Sequence, residues 1–198
     1  GFTVATLPQI FTTYLTGDYD FRVFGGWATR ITIGIIANTL KKVLGEPLTQ
    51  DKLKGLKLGP FTTRYHWNQY DNQINSEFIN MYSNAYGTVP DLFTSGTFTA
   101  ASSIVQAVNK SHSTKGADIA NALHGMTVKH TPKGEGGYVF QEYNNQARSA
   151  MTVANPAITS EQWIDLWKPK IMPGEPVARI PKDEVTIPKG SSAMGCSL

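Results

Sequence analysis

From Pro8 to about residue 130, apolar residues recur first at helical and then at strand spacing, repeatedly, and this alternation constrains the chain more than any other feature. It asks for an α/β layer sandwich in which helices cover a sheet.

The helical stretches carry their own punctuation. Pro8 suits the first turn of a helix, whose N–H groups need no partner, and Ile10, Phe11, Tyr14 and Leu15 follow on one face. Thr29 is placed to cap a second helix with Ile31, Ile35, Ile36, Leu40, Val43 and Leu44 inward, stopped by Gly45 and Pro47. In "INSEFINMYSNAYGTVPD" Ile74, Phe78, Met81, Tyr82 and Ala85 share one face, with Asn75, Ser76, Asn80 and Asn84 outward. Gly87 suits a left-handed end and Pro90 keeps the helix from resuming. Two more helices are expected near 97–109 and 116–124, the first burying Phe98, Ala101, Ile104, Val105 and Val108.

Between them lie short strand signals. "FRVFGG" reads as a buried strand, and Leu56 to Thr62 as an edge or crossing strand because Gly59-Pro60 interrupts its ladder. Tyr138 and Phe140, a turn at Asn144-Asn145 and a strand from about Ala147 to Ala154 read as a β-hairpin. The proline-rich tail after Trp167 is expected to be extended over a surface or disordered, outside any core.

Composition removes several functions. With 198 residues, 40% of them apolar, there is material for a packed core. A net charge of +3 from scattered Lys and Arg gives no phosphate-tracking surface, so no nucleic-acid partner is expected. No apolar run approaches the roughly 20 residues of a membrane-spanning helix. The single cysteine, Cys196, excludes a disulfide framework, and "AMGC" so near the end is a chance match to a lipidation motif. His66, His112, His124 and His130 lack metal-ligand spacing, no Gly-x-Ser-x-Gly elbow exists, and "PKGEGGYVF" lacks the Lys-Ser/Thr ending of a phosphate loop. Neither metal, cofactor nor catalytic residue is therefore expected.

Two aromatic and polar stretches remain, "GGWATR" at 25–30 and "TTRYHWNQY" at 62–70, each after a strand signal, where open α/β sheets bind ligands. Trp27, Tyr65, His66 and Trp67 offer walls for an apolar group, and Thr29, Arg30, Thr63 and Arg64 offer hydrogen bonds to a carboxylate or amide. The competing reading of each is a core plug or a solvated charge.

The order of these pieces resembles a known family. "FRVFGGWAT", a helix, "LKGLKLGPF", a helix closing through Phe78, Tyr82, Tyr86, Gly87 and Pro90, "TFTAASSIVQAV", then Ala122, Leu123, Gly137, Phe140 and Gln146 resemble the C-terminal half of periplasmic solute-binding proteins of the branched-chain amino acid ABC transporter type, over residues 20–168. The resemblance implies the type I, leucine/isoleucine/valine-binding-protein-like fold. Two Rossmann-like α/β lobes are joined by three crossing strands, and a solute is clamped in the cleft between them.

On that basis residues 1–58 end one lobe, 59–125 form a segment of the other after the hinge, 126–168 return to the first with the hairpin, and 169–198 are the tail. A missing N-terminal half, a membrane permease and a small solute are the implied partners, and the periplasm the implied compartment. The chain lacks an initiator methionine, which also leads us to expect a removed leader or a fragment.

The resemblance places Trp27, Ala28 and Thr29 on one cleft wall and Thr63, Tyr65 and His66 on the other. Trp27 stands where amino-acid binders of the family often carry an acid for the ammonium group, which favours an amide-like, aromatic or less cationic solute. The expected function is the solute-binding component of an ABC importer. A ligand-sensing domain of the same fold is the alternative, followed by an α/β hydrolase or amidase.

Overall fold

The computed structural model describes residues 4–26 and 29–190. Its helices are α1 (Leu7–Thr16), α2 (Arg30–Leu44), α3 (Gln50–Lys54), α4 (Gln73–Tyr86), α5 (Leu92–Ser111), α6 (Gly116–Leu123) and α7 (Glu161–Trp167). Its strands are β1 (Val23–Gly25), β2 (Leu58–Thr63), β3 (Thr127–Val128), β4 (Tyr138–Phe140), β5 (Ala147–Arg148), β6 (Met151–Ile158) and β7 (Ile171–Ile180). One sheet has the order β1-β2-β6-β7, with β1 parallel to β2 and the remaining pairs antiparallel; a smaller sheet has the order β3-β4-β5.

The helix boundaries follow local chemistry. Thr29 and Thr32 form a reciprocal capping box at the start of α2, each side-chain oxygen accepting from the other's backbone N–H. The Asn72 side chain accepts from Asn75 N–H at the start of α4, and Gly87, at φ 64, closes that helix in the left-handed conformation.

Helix faces depart from expectation where tertiary packing overrides local pattern. On α5 the buried stripe is Ser95, Thr99, Ser103 and Ala107, while Ile104 and Val105 are more than half exposed. The small residues form an i, i+4 row whose C-terminal part lies beside β3 and α6. On α4, Asn75 is buried and Met81 exposed, the reverse of the sequence reading, because Asn75 bonds backbone groups of the preceding turn. On α2, Ile31 is exposed, and Ile33, Ile36, Ala37 and Leu40 carry the packing.

The strands bring larger corrections. β2 is a central strand, not an edge, because its pairing with β6 begins at Phe61, one residue beyond Pro60, and its ladder to β1 is irregular opposite the Gly-Pro pair. A proline is thus accommodated where no ladder bond is required. β1, expected to be buried, is an edge strand, and its Phe24 is 69% exposed. The hairpin exists, with Asn145 at φ 55 in its turn, but its second strand divides. Ala147–Arg148 stays with β4, and Met151–Ile158 leaves for the main sheet.

The tail also enters the core. Ile171 and Met172 are buried in β7, which pairs along β6 from Ile158↔Ile171 to Met151↔Ile180. Prolines 173 and 176 sit on an edge strand, where a missing donor costs least. Cys196, in the last eight residues, lies outside the described residues.

The main core joins α1, α2, β2 and α7 through Phe11, Ile33, Ile36, Leu40, Phe61 and Trp167. Tyr14 donates to Lys57 O at 2.8 Å and Phe21 O at 3.0 Å, fastening α1 across the start of the sheet. A second core of Ala107, Ala122, Met126, Val128 and Tyr138 sits beneath α5 and α6.

Candidate ligand site

Of the residues singled out from sequence, Trp27 and Ala28 lie outside the described residues. Thr29 is buried and spent on capping α2. Arg30 begins that helix. Its backbone N–H donates to Asp91 Oδ2 at 2.8 Å, Nη2 donates to Val89 O, and its guanidinium lies 5.3 Å from the centre of the Trp167 ring system.

The second stretch leaves the sheet at the end of β2 and turns through a short 3-10 helix at Trp67–Gln69. Thr63 and Tyr65 are buried and bonded to each other, the Thr63 hydroxyl donating to Tyr65 O at 2.8 Å and accepting from Tyr65 N–H at 3.2 Å. Tyr65 donates its phenol proton to Asn75 Oδ1 at 2.8 Å and stacks on Tyr70 at 5.8 Å. Asn75 completes the knot by donating to Trp67 O at 2.8 Å and Tyr70 O at 2.7 Å. Burial pushes the Tyr65 phenol far above its ordinary value, so it stays protonated.

His66 is fully buried against Trp67, at 3.7 Å, and Trp167, at 5.4 Å. Its Nδ1 meets Asn68 Oδ1, an acceptor, so Nδ1 carries the proton and Nε2 holds a lone pair. Burial holds the imidazole down to about 3, and the ring is neutral at pH 7.

The structure therefore brings Arg30 and His66 together around Trp167, while Thr63 and Tyr65 are taken up by each other and by Asn75. Three buried nitrogens here, Arg30 Nε, His66 Nε2 and Trp67 Nε1, have no hydrogen-bond partner among the described residues. Two are donors and one is an acceptor; an amide carries partners for both kinds, whereas a carboxylate has no hydrogen to give His66 Nε2. Burying such groups unpaired is costly.

Trp167 and Asp91 were not picked out from sequence. The i, i+4 tryptophans of "EQWIDLW" signal an aromatic helix face, and the Pro-Asp before a helical run signals an N-cap. Trp167 is completely buried, donates to Ile171 O at 2.8 Å and lies 4.6 Å from Trp67.

A periplasmic binding protein family model matches residues 26–158, and the chain belongs to that family. No curated protein matches the sequence. Among solved structures, an ABC-type branched-chain amino acid transporter protein from Rhodopseudomonas palustris is similar at 23% identity and TM-score 0.57, covering 93% of this chain and 49% of that one. A leucine-binding protein from Thermotoga maritima is similar at 16% identity and TM-score 0.61, covering 92% and 43%. A solute-binding protein of an ABC transporter from Rhodopseudomonas palustris, in complex with 3,4-dihydroxybenzoic acid, is similar at 13% identity and TM-score 0.56, covering 77% and 43%. The fold is thus the α/β type I periplasmic binding fold, and the chain spans less than half the length of these relatives.

Proposed function

We propose that this protein is the extracytoplasmic solute-binding component of an ABC importer, acting without catalysis and handing its solute to a membrane permease. The family match supports binding as its task. The observation that carries the site is the meeting of Arg30, His66 and Trp67 around Trp167 with three buried nitrogens unpaired.

In this reading residues 1–58 and 59–125 contribute to opposite lobes, and an N-terminal half from the same gene completes both. Trp27, Ala28, Arg30 and His66 meet the solute, Thr29 holds the start of α2, and Thr63 and Tyr65 bond to each other. The solute is a small amino acid-like, amide or aromatic-acid molecule. Closure follows because the solute reaches both walls only in the closed form, so its differential affinity shifts the population toward that form.

A thermal-shift screen of amino acids, amides and aromatic acids on the full-length gene product tests this. A ligand bound only by the native state raises the melting temperature, and Arg30→Gln abolishes the rise. If no member of the panel shifts the transition, the reading fails.

A further inference from the structure

The end of β2 borders a recess on the side away from Thr63. Thr62 and Arg64 point there, together with Arg148 and Ser149 from the end of the hairpin, and Met151, Ile180 and Val185 form its apolar side; the cavity is about 340 Å³. No carboxylate lines it. Two features set its character, Lys133, held down to about 7 and so only partly charged near neutral pH, and Arg148, which keeps its charge. Lys133 stands behind it, its ammonium donating to Ser149 Oγ at 2.8 Å and lying 5.1 Å from the Tyr138 ring centre and 5.6 Å from that of Tyr70.

The second feature is Arg148. Its Nη1 bonds Asp183 at 2.6 Å from outside the recess, while its buried Nε has no partner among the described residues. A guanidinium prefers to engage acceptors through two edges, and only one of these is used here. Arg64, which is exposed, has no carboxylate partner within ion-pair reach among the described residues.

We infer that this recess binds a small aliphatic monocarboxylate, its oxygens held by Arg64 and Arg148 and its hydrocarbon against Met151, Ile180 and Val185. The apolar side separates this ligand from free phosphate, which has nothing to place there. The volume suits a small molecule, being at the low end for ligand pockets. The recess lies on the other side of β2 from the Trp167 cluster, so occupancy here does not depend on the solute proposed above.

Titration calorimetry of the full-length gene product at fixed ionic strength, with butyrate and then inorganic phosphate as probes, tests the assignment. One butyrate is expected to bind per chain, with Arg64→Gln and Arg148→Gln each weakening it about tenfold or more and Arg30→Gln leaving it unchanged. Arg64 is exposed, so Arg64→Gln remains informative should Arg148→Gln unsettle the hairpin. Absence of butyrate heat, or equal affinity in Arg64→Gln, overturns the site. Loss in Arg30→Gln instead moves the butyrate to the Trp167 cluster and also overturns it. Phosphate binding as tightly as butyrate overturns the assigned apolar contact.

Discussion

Asp91 joins the first turns of two helices through one carboxylate: Oδ2 accepts from Arg30 N–H at 2.8 Å and Oδ1 from Leu92 N–H at 2.7 Å. One side chain thereby serves α2 and α5, whose N-termini both favour negative charge. Replacing it with alanine should cost about 2 kcal/mol, more than a single cap, because two buried-side donors lose their acceptor. Asp91→Asn, with one acceptor oxygen, should lie between. Urea denaturation of the three proteins gives the order.

His66 should make the protein acid-sensitive. Its folded value of about 3 lies below the ordinary 6.5, so between these limits the unfolded chain binds a proton that the folded chain does not. Stability therefore rises with pH across that window and falls on acidification, with a slope approaching ~1.4 kcal/mol per pH unit. Asp91 works in the opposite sense, since burial raises its carboxyl and the folded state takes up its proton first. Denaturation midpoints measured from pH 7 to pH 4 should fall, and His66→Phe should flatten the fall.

Asn75 is predicted to matter more than any exposed asparagine of its helix. Asn75→Ala strands two carbonyls and the Tyr65 hydroxyl in the core and should cost about 3 kcal/mol or more. Asn80→Ala, on the exposed face, should fall within about 0.5 kcal/mol of the parent. Equal costs would show that Asn75 is not the centre of that network.

Lys133 should titrate in an accessible range. Burial first, then Arg64 and Arg179, hold its ammonium down to about 7 against an ordinary 10.5. Between those values the unfolded chain carries the extra proton, so this group's contribution to stability rises with pH from about 7 upward. Lys133→Met should remove that rise in denaturation curves taken at pH 7, 8 and 9.

The α/β class, the capping by Thr29 and the left-handed end at Gly87 were legible because each rests on local backbone chemistry. Helix orientation was less so. Asn75 looks like a surface residue until the turn at Trp67 to Tyr70 folds beneath it and presents two carbonyls. The central position of β2 was hidden because Pro60 forbids a ladder bond only at its own position, and the partner strand starts one residue later. For the candidate site, Arg30 and His66 were legible as types but not as neighbours, since Trp167, about a hundred residues beyond His66, brings them together. Arg148 gains its place only when the hairpin's second strand divides, which no local pattern announces.

The seam between β2 and β6 pairs Phe61 with Ala154. During synthesis β2 leaves the ribosome about ninety residues ahead of its neighbour, an interval of roughly 5–20 s at ordinary elongation rates. Through that interval one side of a central strand stands open, while the intervening α4 and α5 already have all their own residues. Nascent chains paused before residue 150 should therefore be far more protease-sensitive around Leu58–Thr63 than chains paused after residue 180.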